Sequence, residues 1–530
     1  MNYASYERVD REANYHYKKI LDNPFFDTIF TFEGVNLFKC LDYKLYHYLL
    51  KFFSTQEHIN KTPFNSINKN SFSGGLFTSP LQDNLSLFFK RALEEKRLPA
   101  AVTKKQGNFE KLKLKIWTNY YYFYKCFIIR NHSDVIFVLP AQHSVKLFPL
   151  FKELNKKKIK YSLVLHDLDL KTLVLLYTNF IPFIERRALM SKSDHLIRKP
   201  LKRMQSMWNK SRDKFRVIES REYKQTVLRD ALILGINFFL KGELSQIARD
   251  VLATKFIITN FKPKLIVTTT DPDTKVLPYI YKAKETGIKT ITLQHGAYAS
   301  CVNVDFKSDT NLVWGNYYMN WFKEKLGKKS NQFVITGSTF YDNFRLKKLK
   351  KINKQLKELS VLILLENVYF LKEKFETELK KIIGYVLSEG IQKIYIRPHP
   401  WQDISFITNA FKNSFEVSII IDNSNNLNRS INKNDLVITM DTSAGFNALI
   451  LGKKLIYWDF FGKENLPFRM GGVPVAKSPE EIRDFMIKII NNKFKSFEGK
   501  RKKLLKDIFY KLDGRSSQRV VNFLESELRR

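Results

Sequence analysis

Residues 393–403 read KIYIRPHPWQD, and residues 434–460 read NDLVITMDTSAGFNALILGKKLIYWDF. In each, a short apolar run ends abruptly in polar residues. The first enters Arg397, Pro398, His399 and Pro400; the second, Leu436 to Met440, enters Asp441, Thr442, Ser443, Ala444 and Gly445. A helical pattern follows at once over 446–451, then Gly452 and a third apolar run over 454–458. Short apolar runs bounded by turn residues and alternating with helical patterns predict a parallel sheet covered on both faces. Two strand ends then set a cation, an imidazole and a hydroxyl-rich turn on one sheet edge. The turn opens a helix N-terminus, whose free N–H groups and positive dipole end suit a phosphate.

The same rhythm recurs on both sides of this stretch. Upstream, SVLILLEN (360–367) opens the sheet to which these runs belong and carries Glu366 at its end. A polar, Lys-rich spacer, KKLKKINKQLKE, precedes it, so 345–358 is read as a linker. Before the linker, DVIFVLP (134–140), YSLVLHD (161–167), KLIVTTTD (264–271), KTITLQHGAY (289–298) and QFVITGSTFYD (332–342) alternate with helical segments, one of them the basic amphipathic VKLFPLFKELNKK. Ligands of such sheets lie at the carboxyl ends of the strands. That edge collects His166 and Asp167, Asp271 and Asp273, Gln294, His295 and Gly296, and Gly337. A strand-end aspartate is as readily a helix cap as a catalytic group. The organisation predicted is an N-terminal, mostly helical accessory region (1–130), a Rossmann-like domain (131–344), the linker, a second Rossmann-like domain (359–492) and C-terminal helices (493–530). In the accessory region, Leu81–Leu98 reads as helical, and the aromatic run Trp117–Phe127 reads as core or a docking face rather than a ligand box.

A chain of 530 residues with 44% apolar composition exceeds one core, so two or more domains are expected. The net charge of +38 is extreme. It suits an anionic partner such as a membrane surface, an acidic polymer or nucleic acid, although the charges are spread along the chain and not gathered in one tail. The basic run at 198–216 is read either as a solvated face or as a contact for an anionic acceptor or lipid headgroup. Three cysteines without metal-ligand spacing argue against a disulfide framework and fit a cytoplasmic protein. The N-terminus has no signal-peptide core, and no apolar run reaches the roughly 18 residues a spanning helix needs. Membrane contact, if made, is therefore peripheral, at the inner face.

What binds and what reacts can be read from the strand ends. The turn 441–445 can hold a phosphate through its N–H groups, with Thr442 or Ser443 adding a hydroxyl. His399, held between two prolines, can donate to the same phosphate, and Arg397 adds charge or braces the turn. Nucleotide phosphate leaving from a sugar gathers charge that these groups would stabilise. The acceptor hydroxyl needs a base, for which the other domain offers Asp271, Asp273 and His295, and less well His166 or Asp167. P-loop, dinucleotide, zinc-protease, CxxC and nucleophile-elbow patterns are lacking, so no cofactor and no metal is expected.

At LQHGAY, VITGSTFYD, YIRPHP and DTSAGFNALILGKKLIYWD, in that order, the chain resembles the two-domain GT-B glycosyltransferases of bacterial surface polysaccharides. It is most similar to capsule Kdo transferases, polysialyltransferases and CDP-glycerol glycerophosphotransferases. The resemblance runs from Asp134 to the C-terminus. It implies that His399 and the Thr442/Ser443 turn bind the donor's nucleotide phosphate, that His295 faces the cleft from the first domain, and that the C-terminal helices cross back. Related chains often carry Glu where Asn447 stands, and that Glu contacts the nucleotide ribose; Asn can still hydrogen-bond a hydroxyl, without charge. The acidic motif of polysialyltransferases has no clear match.

The expectation is thus an α/β enzyme with two Rossmann-like domains facing across a cleft. It would use a nucleotide-activated donor, CMP- or CDP-linked in preference to UDP-linked, to build a surface polysaccharide or glycolipid. Its site would comprise His295, Asp271 and Asp273 as catalytic candidates, Arg397, His399, Thr442, Ser443 and Gly445 at the donor phosphate, Asn447 at the ribose, and Gln294, Gly296, Gly337 and Glu366 elsewhere in the cleft. Its partners would be the nucleotide-sugar donor, a glycan or glycolipid acceptor and an anionic membrane, with no nucleic acid. Two alternatives are a UDP-sugar 2-epimerase, which shares the architecture but needs paired carboxylates in the cleft, and a non-enzymatic polyanion or nucleic-acid binder, which needs basic and aromatic residues interleaved on one face.

Overall fold

The computed structural model describes residues 3–53 apart from 43, 47, 51 and 52, and residues 132–530 apart from 191–193, 213–224, 298–305, 350–351, 353–355, 367–371, 392, 400–418, 423, 425, 441, 461–466 and 492–496. The sequence expectations for Leu81–Leu98 and Trp117–Phe127 lie outside the described residues.

The described N-terminal segment is helical, Tyr3–Leu21 and Pro24–Phe30, with a small hairpin of β1 (Thr31–Phe32) and β2 (Val35–Asn36). Asn23 starts the second helix by accepting from Phe25 N at 3.0 Å, and Pro24 supplies the preset φ of a first helical turn. Val9, Ala13, Phe26, Phe30 and Phe38 then bury against Trp208, Leu232, Leu244 and Ile247 of three helices, Asp194–Ser211, Gln225–Lys241 and Glu243–Phe261. These layers cover one face of the first sheet. Inside them Arg186 forms a bidentate pair with Asp250, both bonds 2.5 Å, with both side chains buried.

The first sheet holds seven strands: β3 (Val135–Pro140), β4 (Tyr161–His166), β5 (Phe183–Glu185), β6 (Leu265–Thr268), β7 (Lys289–Leu293), β8 (Thr310–Val313) and β9 (Phe333–Ile335). Their order is β5-β4-β3-β6-β7-β8-β9, and every pairing is parallel. All six residues of β3 and of β4 are buried, because helices lie on both faces. The second sheet holds β10 (Ser360–Leu364), β11 (Lys393–Arg397), β12 (Ile419–Ile421), β13 (Leu436–Thr439), β14 (Lys454–Trp458) and β15 (Val475–Ala476), in the order β12-β11-β10-β13-β14-β15 and again all parallel. Gly287 (φ 74°) and Gly390 (φ 80°) end the crossover helices Leu277–Glu285 and Lys372–Ser388 in the left-handed region, where glycine carries no Cβ penalty.

Both sheets run outward in two directions from a central pair, the doubly wound order of a Rossmann-like domain. The winding reverses between β3 and β6 in the first sheet and between β10 and β13 in the second. At such a switch point the loops diverge and leave a crevice beyond the strands' carboxyl ends. The fold class is thus α/β, two Rossmann-like sheets facing across a cleft.

The two sheets share a core layer. Trp314, Tyr318 and Tyr341 from the first pack with Phe446, Leu449 and Phe468 from the second, joined by Leu504, Leu505, Ile508 and Phe509 of the helix Phe497–Phe509. Trp314 stacks on Phe509 at 5.2 Å and 24°. The last helix, Ser516–Arg529, returns to the first domain, where Val520, Val521 and Leu524 bury with Phe151 and Leu154 of the helix Phe148–Lys156. Asp342 fixes its start by accepting from Ser516 N at 2.8 Å and Ser517 N at 2.6 Å.

Candidate active site in the interdomain cleft

Both switch points open into one cleft of ≈ 640 Å³. From the second domain its wall is Leu364 and Leu365 after β10, Arg397, Pro398 and His399 after β11, and Thr442 to Ala444 after β13. Asn426 and Asn428 join them, together with Asn447 of the helix Ala444–Ile450. From the first domain come Gln142 and Lys146 after β3, His295 after β7, and Phe340, Tyr341 and Phe344 after β9. Among the described lining residues there are two cations, two imidazoles and several hydroxyls and amides, and no carboxylate.

On the second-domain side, Arg397 is anchored within its own domain. Its Nη1 donates to Asp422 Oδ2 at 3.2 Å and to Ser424 and Ser430 Oγ at 3.1 Å each, so it braces the turn while lining the cleft. His399 stands 3.9 Å from Glu366 Oε1, and partial burial lowers its pKa from the ordinary value. The hydroxyl of Thr442 receives Ala444 N at 3.4 Å, and Ser443 precedes the helix without capping it through its side chain. Asn447 is a strut: its Oδ1 accepts from Tyr341 OH at 2.8 Å and its Nδ2 donates to Asn428 Oδ1 at 3.0 Å. The hydroxyl of Tyr341 thus ties the end of the first domain to the second-domain helix.

On the first-domain side, the helix Ala141–Lys146 leaves β3 directly, then breaks at Leu147 before Pro149 starts the next helix. The amphipathic segment expected as one helix is therefore two, since proline cannot donate within a continuous helix. The short first piece carries Gln142, His143 and Lys146, which the sequence reading passed over. His143 Nδ1 lies 2.7 Å from Thr269 Oγ1, and its ring sits 5.0 Å from that of His295 at 32° and 5.5 Å from Phe340. Lys146 Nζ stands 5.4 Å over the Phe340 ring, and the walls that displace water around it lower its pKa. Burial brings His295 down to about 4, against a hydrogen bond with the Thr269 backbone that pulls upward, and brings His143 to about 2. Both imidazoles are neutral at physiological pH. No local signal marked this wall, because its partners Thr269, His295 and Phe340 come from later strand ends.

Seven of the expected site residues, Asp271, Asp273, Gln294, Gly296, Gly337, Glu366 and Gly445, are not on this lining. Asp271 is fully buried, accepting from Lys307 N (2.9 Å), Ser308 N (2.8 Å) and Thr292 Oγ1 (2.9 Å), so its carboxylate anchors the segment before β8 and does not reach the cleft. Gln294 is buried as a clamp, accepting from Trp314 N at 2.9 Å and donating to Gly296 O at 2.9 Å; its neighbour His295 turns to the cleft instead. A Cβ on Gly337 would stand 2.6 Å from Ser516 Oγ, so this glycine admits the C-terminal helix. A Cβ on Gly445 would stand 2.8 Å from Phe468 Cζ and 3.0 Å from Thr439 Cγ2, so this one lets its helix close onto β13. Asp273 lies off the lining, holding Lys275 N at 2.9 Å with His166 Nε2 3.8 Å away. His166 is buried, and Asp167 pairs with Lys275 Nζ at 2.5 Å. Gly296, between His295 and the undescribed 298–305, has open space where a Cβ would stand. Asp441 lies outside the described residues.

Fold and cleft together define the class: a two-domain α/β protein of GT-B architecture with a cation- and imidazole-lined interdomain site. No protein-family model matches the chain, and no curated protein matches it. Solved structures similar to it include a UDP-N-acetylglucosamine 2-epimerase (14% identity, 76% of this chain and 97% of that one, TM-score 0.46). The Methanocaldococcus jannaschii UDP-GlcNAc 2-epimerase in complex with UDP-GlcNAc and UDP is similar at 15% identity, over 74% and 99% of the two chains, with a TM-score of 0.47. Acinetobacter baumannii MurG is similar at 11% identity, over 74% and 99%, with a TM-score of 0.38. At such values the likeness carries no argument about chemistry, which rests on the residues of the cleft.

Proposed function

We propose that the protein is a glycosyltransferase, or a polyol-phosphate transferase, working from a nucleotide-activated donor bound in the interdomain cleft. The observation that carries this reading is the charge of the cleft: Lys146, Arg397, His295 and His399 surround its volume, and no described lining residue is a carboxylate. That lining suits a group rich in phosphate oxygens. An epimerase would want paired carboxylates in the same space, and Asp271 and Asp273 are both turned to other work.

In the reaction envisaged, the donor phosphate rests against His399, the Thr442/Ser443 turn and Arg397, with Lys146 closing from the other domain. The nucleoside faces Asn426, Asn428 and Asn447. An acceptor hydroxyl oxygen forms the new bond to the donor's reacting carbon or phosphorus, and the bond to the nucleotide oxygen breaks. The nucleotide leaves with the electron pair, stabilised by the cations and by imidazole donation. The acceptor proton passes to His295, which is unprotonated before the reaction; burial weakens it as a base, and the anionic donor phosphate bound in the same cleft offsets this by favouring the imidazolium. The acceptor is a surface glycan or glycolipid, the donor nucleotide a pyrimidine, CMP or CDP ahead of UDP, and the basic exterior rests near an anionic membrane.

The test is a thermal-shift panel of CMP, CDP, UDP and GDP on the wild type and on His399→Ala. One pyrimidine nucleotide should raise the melting temperature, and the variant should lose most of that rise while melting normally alone. Absence of any nucleotide effect on the wild type would sink the proposal. Conversion of a UDP-sugar to its epimer without acceptor would replace it with the epimerase reading.

A further inference from the structure

We propose that the helix Leu170–Thr178 and the turn after it dock the protein on a bilayer containing anionic phospholipid. Among the described residues few large apolar side chains are exposed, and four of them fall here: Leu170 (75% exposed), Val174 (52%), Tyr177 (53%) and Phe180 (91%). The helix spacing puts Leu170, Val174 and Tyr177 on one face. Its opposite face buries Thr172 and Leu176 against the domain, so the helix is anchored and only the outer stripe is left to water.

Phe180 has φ 53°, a left-handed conformation that costs a bulky residue and that Gly or Asn adopts more easily. The turn nevertheless holds an aromatic ring almost fully in solvent. The register Leu163↔Phe183, together with the bond from Leu163 N to Pro182 O (3.0 Å), sets this turn beside the one before β4. That neighbouring turn carries Lys158, also left-handed at φ 56°, and Lys160, both exposed. Lys171 stands exposed at the other end of the stripe. These three lysines pair with no carboxylate among the described residues, whereas Lys156 pairs with Glu153 and Lys157 with Glu525.

Apolar tips flanked by unpaired lysines select the occupant. A second copy of this chain would bring the same lysines face to face and add its own +38 charge, which opposes a self-complementary contact. An anionic bilayer accepts both components, the tips below the headgroups and the ammonium groups among the phosphates. No described helix is long and apolar enough to cross a membrane, so this contact is peripheral. Placement ties it to function: the helix packs on Ala141–Lys146, which carries Gln142 and Lys146 into the cleft. Resting on the proposed transferase reading for this part alone, the docked helix would bring a lipid-linked acceptor to the first-domain wall.

The experiment is sedimentation of the full chain with phosphatidylcholine vesicles, with and without phosphatidylglycerol. The wild type should bind the anionic vesicles and be released by salt. Combining Leu170→Ser, Val174→Ser and Phe180→Asn should weaken binding about tenfold, and combining Lys158→Gln, Lys160→Gln and Lys171→Gln should flatten the salt dependence. Melting temperature and the nucleotide-induced shift should stay at wild-type values in both. Wild-type binding by the apolar variant overturns the proposal. So does a concentration-dependent dimer, seen by analytical ultracentrifugation, that the apolar variant abolishes without any vesicle binding. A nucleotide shift that persists while vesicle binding fails strikes this surface and leaves the proposed reaction standing; the reverse result strikes the reaction alone.

Discussion

Asn447 shows what a single side chain decides in the cleft. Its amide joins Tyr341 and Asn428, so a polar link between the two domains stands beside the proposed nucleoside site. Asn447→Ala leaves the buried Tyr341 hydroxyl without that acceptor, at a cost of about 1–3 kcal/mol. Chemical denaturation should register that loss, and isothermal titration should show weaker nucleotide binding. Asp271 makes the contrasting case. As a general base, its change to Asn would abolish turnover and spare stability; as the anchor seen here, Asp271→Asn sets an amide N–H₂ against either the Lys307 or the Ser308 donor and lowers stability by about 1–3 kcal/mol. A variant that melts normally and is inactive would contradict the anchoring role. The strand-end position of Asp271 was legible in the sequence. Its burial was not, because the donors come from a segment almost forty residues further on, and nothing local announces them.

Among the elements, the parallel strands were the most legible because each is covered on both faces and reads as an unbroken apolar run. The cleft wall on Ala141–Lys146 was illegible for the opposite reason. Its amphipathic pattern runs on through Pro149 as if one helix spanned both pieces, and the histidine and lysine on the first piece acquire meaning only once β6, β7 and β9 bring Thr269, His295 and Phe340 beside them. Glycines hold a second role in the same way. Gly445, expected at the donor phosphate, also makes a close packing contact with Phe468 and Thr439. Gly445→Ala must displace Phe468 or strain the helix away from β13, which overpacking places at about 1–3 kcal/mol. A fall in denaturation midpoint with nucleotide affinity shifted little per bound site would fit packing; unchanged stability with lost binding would restore the phosphate role. The buried Arg186–Asp250 pair belongs to this scale too, because it ties the segment after β5 to the helix Glu243–Phe261. Asp250→Ala strands a guanidinium in the core and should cost about 3–5 kcal/mol.

At the scale of the whole molecule, acid is the informative perturbation. Desolvation lowers His16 and His166 from 6.5 to about 4, and His143 to about 2. The unfolded chain protonates these imidazoles as pH drops through 6.5, while the folded chain holds them neutral well below that. The unfolded state therefore binds more protons in this window, and stability must fall as pH falls from 6.5 toward 4, with no such loss above 6.5. The +38 charge at neutral pH, which grows as carboxylates protonate, pushes the same way by self-repulsion. Salt separates the two causes, because it screens surface repulsion and leaves a buried imidazole's desolvation almost untouched. His166 isolates the buried contribution. It is buried in the first domain, neither ring nitrogen finds a hydrogen bond among the described residues, and Asp273 stands 3.8 Å away. His166→Leu keeps an apolar filling and removes one proton site, so the slope of stability with pH between 6.5 and 4 should flatten by up to about 1.4 kcal/mol per pH unit at any salt concentration. Denaturation curves at several pH values with and without added sodium chloride measure both effects. An unchanged slope in the variant would mean that His166 takes up its proton in the folded state, and the acid sensitivity would then belong to the other buried imidazoles and to surface charge.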